Sequence, residues 1–60
     1  MHKVVKYELE PNCMVERTLF RSALVRDCIR YLYSRRDRKE LVILNDVNDV
    51  VDTREYVTDN

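Results

Sequence analysis

The sequence predicts a small α+β domain of order ββαβ(β), in which an antiparallel sheet carries one amphipathic helix on one face. Val5, Tyr7 and Leu9 alternate with Lys6, Glu8 and Glu10, the period of a half-buried strand. The apolar residues of 24–33 gather on one broad face when placed at about 100° per position. Leu41, Val42, Ile43 and Leu44 form an apolar run bounded by charge, which is how a strand buried on both faces reads.

Residues 4–10 are the first strand. Pro11 and Asn12 supply its turn, a fixed φ followed by a residue that tolerates the left-handed region. In residues 14–20, Val15, Thr18 and Phe20 are β-branched or aromatic and favour a second strand. A helix beginning near Pro11 is the competing reading. A three-residue loop would set Leu9 beside Val15 and Val5 beside Leu19, the best apolar register, although it also sets Glu8 against Glu16. The helical phase cannot run back through this segment, because Arg17 and Arg21 would then fall on the apolar face. It breaks near Ser22, which is the expected N-cap.

Over residues 24–33, Leu24, Val25, Cys28, Ile29, Tyr31, Leu32 and Tyr33 face the core, while Arg26, Asp27, Arg30 and Ser34 face away. The helix should end near residues 36–38, with Arg35 and Arg36 at the negative end of its macrodipole. Residues 41–44 are expected in the centre of the sheet and residues 45–49 as a turn. Residues 50–57 read as a weak edge strand, with 58–60 frayed.

A chain of 60 residues holds one domain. Such a chain buries only about 60 % of its unfolded surface, so a lone copy is marginal and self-association, as a homodimer, is the expected supplement. The apolar helix face and residues 41–44 supply the surface for it. Residues 1–10 carry charges where a secretory signal has an apolar stretch, and no apolar run approaches the roughly 20 residues of a membrane span. A cytoplasmic protein with two reduced cysteines is expected, with no membrane contact. The chain has no glycine and one proline, Pro11. Phosphate-cradling loops and dinucleotide fingerprints need glycine, so they are excluded. Chains this compact and free of cofactor motifs are the kind of product that phage or mobile-element genes encode.

No residue set points to catalysis. His2 is the only histidine, and Cys28 falls on the apolar helix face, where a free cysteine usually acts as a small hydrophobe. His2, Cys13 and Cys28 lack both a fourth metal ligand and paired spacing. Asp46, Asn48, Asp49 and Asp52 lack the glycine and distal glutamate of a calcium loop. No cofactor, metal, small-molecule substrate or enzymatic activity is expected.

Charge is the informative feature. The net charge is zero, but residues 17–39 hold eight cations, seven of them arginine, against Asp27 and Asp37. Residues 40–60 hold six anions against Arg54 alone. Such a dipolar pattern concerns partners rather than fold. Guanidinium forks suit carboxylates and phosphates, so Arg26, Arg30, Arg35, Arg36, Arg38 and Lys39 are the candidate partner-binding residues. The expectation is a small non-catalytic regulator, inhibitor or adaptor that docks an acidic protein through this helix face or through a sheet edge. A nucleic-acid-binding accessory protein using residues 17–39 is the alternative. A solvated face neutralised by the chain's own acidic end is the plain reading against which both stand.

Overall fold

The computed structural model describes residues 1–55. Strand β1 (His2–Glu10) and strand β2 (Cys13–Ser22) form a hairpin, helix α1 (Val25–Tyr33) follows, and a 3-10 turn (Arg38–Glu40) leads into β3 (Leu41–Leu44). A second 3-10 turn covers Thr53–Glu55. The sheet is three-stranded and antiparallel in the order β2-β1-β3, with α1 on one face. This is the expected α+β class.

The competing helix for residues 14–20 is not formed. Those residues lie in β2 and pair with β1. The register matches expectation only in its first part. Val4 pairs with Phe20 and Lys3 with Arg21, but from Val5 on the pairing moves by one, to Val5 with Thr18 in place of Leu19, Tyr7 with Glu16, Glu8 with Val15 and Leu9 with Met14. Leu19 is the extra residue of a bulge, and the connection shortens to Pro11 and Asn12. The slip removes the Glu8–Glu16 opposition. Tyr7 now donates its hydroxyl to Glu16 (3.2 Å), and Arg17 reaches Glu8 (3.1 Å) and Glu10 (3.9 Å).

Leu24, rather than Ser22, is the N-cap of α1, and its side chain makes no capping bond. Ser22 acts from two residues upstream: its Oγ accepts the Leu24 amide (3.1 Å) and donates to Asp27 (2.9 Å). A short polar side chain can hold a helix entry in this way without occupying the cap. The helix also stops earlier than the cation spacing suggested. Ser34 is its C-cap, the Ser34 amide donating to the Arg30 and Tyr31 carbonyls and its Oγ to Tyr31 (2.6 Å). Arg35 and Arg36 therefore lie beyond the helix.

The core lies between α1 and the inner face of the sheet. Val4, Cys28, Leu32, Leu41 and Ile43 are buried there, with Phe20, Val25, Ile29 and Tyr31 packed around them. Leu24 and Tyr33, expected to face inward, are 63 % and 50 % exposed at the two ends of the helix.

Strand β3 is at the edge of the sheet, and β1 is central. The apolar run of β3 reflects cover rather than a central position. Leu41 and Ile43 lie under α1, and the returning chain shields the outer edge by a Leu44–Val50 bridge and a Val51 amide donated to Ile43 (2.8 Å). That bridge is all that forms of the expected fourth strand through Asp52. Tyr56, Val57 and the expected frayed residues 58–60 lie outside the described residues.

The intervening turn is held by Asn45, whose Oδ1 accepts the amides of Val47 and Asp49 (3.0 Å each). Asn48 has φ 63°. This is the left-handed region that glycine usually fills, and asparagine is among the side chains that enter it most readily. A glycine-free chain can therefore still close a tight turn here.

Candidate functional site

Helix α1 sets the geometry of the arginine face. With Cys28 and Leu32 turned inward, Arg26 and Arg30 fall on the outer ridge with Tyr33, at spacings of four and three residues. Four residues of helix advance about 6 Å, so the two guanidinium groups share one face. Both arginines are exposed, as are Arg36, Arg38 and Lys39 in the segment that follows. Arg38 makes one long contact, from Nη1 to the Arg35 carbonyl (3.4 Å).

Arg35 is different. It donates from Nε and Nη2 to the two carboxylate oxygens of Asp37 (2.9 and 3.1 Å) and from Nη1 to the Tyr31 hydroxyl (3.0 Å). Its guanidinium carbon lies 5.7 Å from the Tyr31 ring centroid, and that ring stacks on Phe20 at 4.7 Å. Asp37 also receives Lys6 Nζ (3.4 Å) from the central strand, and Lys6 reaches Glu40 (3.5 Å). These contacts fasten the end of α1 to β1. Arg35 thus belongs to the fold, a role the cation spacing alone could not separate from docking. The aromatic at position 31 and the carboxylate at position 37 are the sequence signal for it.

The hydrogen bonds from Arg35 and Lys6 hold the Asp37 carboxyl down at about 2, from an ordinary 3.8. A folded-state value below the unfolded one makes the contribution to stability present above about pH 4 and lost as the pH falls towards 2. The unfolding midpoint of the wild type should therefore drop between pH 5 and pH 2, measured by circular dichroism. Asp37→Asn should lower stability at neutral pH and flatten that drop. An unchanged acid slope in the variant would contradict the role given to Asp37.

The remaining cations divide cleanly. Lys3 pairs with Glu16, Lys6 with Asp37 and Glu40, Arg17 with Glu8 and Glu10, Arg35 with Asp37, and Arg54 with Asp52. Arg21, Arg26, Arg30, Arg36, Arg38 and Lys39 have no carboxylate within ion-pair distance among the described residues. Among the described residues the acidic end does not supply one there. Asp46 takes the amino group of Met1 and Asp52 takes Arg54.

The apolar residues behind the expected homodimer are mostly internal, since Cys28, Leu32, Leu41, Ile43 and Leu44 are buried within one chain. The larger exposed apolar groups include the Leu9–Met14 pair and Tyr7. They sit on the hairpin beyond the stretch of β1 that β3 flanks, which among the described residues is Lys3, Val4, Val5 and Lys6.

His2 and Cys13 lie towards opposite ends of the hairpin, and Cys28 is enclosed beneath α1. Among the described residues no three His, Cys, Asp or Glu side chains group as a metal site. Among them, too, no helix is long and apolar enough to cross a membrane. No protein-family model, curated protein or solved structure matches the chain.

Proposed function

We propose that this chain is a small non-catalytic binding protein that docks an acidic protein partner through the outer ridge of α1 and the segment after it. Arg26, Arg30, Arg36, Arg38 and Lys39 supply the charge and Tyr33 the apolar contact. One observation carries this reading: the cations elsewhere in the described chain are nearly all matched by carboxylates, whereas these five are not. Arginine beside a half-exposed tyrosine is also the composition that dominates protein interfaces. Arg26 and Arg30 repel one another at a four-residue spacing, a small cost that an external carboxylate would offset. The two free cysteines suit a cytoplasmic setting.

Changing both Arg26 and Arg30 to alanine should leave folding within about 0.5 kcal/mol per site, as surface substitutions usually do. Capture from the native cell, with and without nuclease, tests the partner class. The wild type should retain an acidic protein after nuclease treatment, and the double variant should lose it, with only moderate salt dependence. Capture abolished by nuclease would favour nucleic acid instead. Affinity would then fall by orders of magnitude between about 50 and 200 mM salt, and the double variant would lower that slope by about two. Equal capture by wild type and variant would leave the ridge as a solvated face.

A further inference from the structure

A second cluster of positive charge lies away from the helix ridge, at the end of the sheet where β1 begins and β2 ends. Lys3 and Arg21 are direct cross-strand partners. Like charges in that position repel, so the pairing has a cost. Glu16 relieves only Lys3, through a 3.0 Å bond, and Arg21 has no carboxylate partner among the described residues. The two cations help to line an open cleft with His2, Asn45, Asp46 and Asn48. Asn45 uses its side-chain oxygen to accept the Val47 and Asp49 amides, which leaves its NH₂ group as a donor.

The cleft is therefore rich in donors. Its one carboxylate among the described residues, Asp46, is already held by the amino group of Met1. Its volume is about 270 Å³, below the roughly 300–1,000 Å³ of sites for drug-sized ligands. We infer that this cleft binds a small phosphate-type oxyanion, with Arg21 as the main charge partner and Lys3 and the asparagine amides completing the donor set. A doubly charged oxyanion meets both cations of the cross-strand pair and converts their repulsion into shared attraction. Guanidinium to phosphate is the geometry that gives the strongest charge-assisted hydrogen bonds. The site is independent of the helix ridge and of its proposed partner.

Titration of the full chain with inorganic phosphate, followed by amide chemical shifts, tests the inference. Saturable shifts confined to residues 2–3, 21 and 45–48 are expected, with a dissociation constant of about 1 mM for a few exposed charge-assisted contacts. A parallel titration with a 5′-mononucleotide distinguishes a free anion from the phosphate group of a larger ligand: tighter binding there assigns the site to a phosphate monoester. Arg21→Met should weaken phosphate binding tenfold or more, while Asp46→Asn should strengthen it several-fold by removing the opposing carboxylate. Two changes of opposite sign cannot both arise from misfolding. Non-saturating shifts, or the same affinity in Arg21→Met as in the wild type, would overturn the site. Arg26→Ala with Arg30→Ala should leave phosphate affinity unchanged, and loss of binding in that variant would move the anion to the helix ridge.

Discussion

Leu32→Ala should remove most of the stability of this domain. Leu32 is 8 % exposed and packs in the cluster of Val4, Cys28, Leu41 and Ile43 that joins α1 to the sheet. Truncating a buried leucine costs about 2–5 kcal/mol, from lost transfer energy and from the cavity left behind. A domain of this size holds only about 3–9 kcal/mol in total. At roughly 4–8 °C per kcal/mol, the midpoint should fall by at least about 8 °C. Thermal unfolding of wild type and variant measures it. Leu9→Ala is the matched control, because Leu9 is 80 % exposed on the projecting hairpin, and a midpoint within a few degrees of wild type is expected there. If the two substitutions cost the same, the core is not where α1 meets the sheet.

The contrast between these two leucines shows what could be read from the sequence and what could not. Period-two alternation identified β1, and Leu9 fits it as well as Val5 does. Alternation reports which face a side chain shares, not whether anything covers that face. Helix α1 covers the face that carries Val4, Leu41 and Ile43, opposite to that of Val5, Tyr7 and Leu9, and among the described residues β3 flanks β1 only at Lys3, Val4, Val5 and Lys6. The same limit explains β3 itself. Its run of four apolar residues signalled burial correctly, but burial of an edge strand by α1 and by the Val50–Val51 return reads identically to burial at the centre.

The ends of α1 differ from those its sequence pattern predicts where a side chain answers the backbone from a distance. Ser22 holds the helix entry from two residues before the cap, and Ser34 closes the helix before Arg35 and Arg36, whose charge would suit a last turn. The bulge at Leu19 exchanged a like-charge opposition for the Tyr7–Glu16 and Arg17–Glu8 contacts, so the register was settled by charge as much as by apolar pairing. For the candidate surface, helical phase placed Arg26 and Arg30 correctly on the outer face. It could not set Arg35 apart, because the Tyr31–Arg35–Asp37–Lys6 contacts join residues from α1, the following turn and the central strand.

The two cysteines should differ in reactivity by at least about a hundredfold. Cys28 is fully enclosed beneath α1, and burial, with the nearby Asp27 charge adding to it, pushes its thiol up from the ordinary value. Thiolate is the reactive form, so both the access and the ionisation of Cys28 are suppressed. Cys13 lies exposed beside the Pro11–Asn12 turn. Reaction at Cys28 must wait for opening of the helix–sheet core, and an opening cost of about 3 kcal/mol already lowers the rate by roughly two orders of magnitude. Labelling with a thiol reagent under native conditions, followed by mass, should give rapid single addition at Cys13 and a slow second phase at Cys28. Denaturant should merge the two phases, and Leu32→Ala should speed the second by about tenfold for each 1.4 kcal/mol of stability it removes. Equal native rates at both cysteines would mean that α1 does not stay closed over the sheet, and the ridge carrying Arg26 and Arg30 would then have no fixed platform from which to dock a partner.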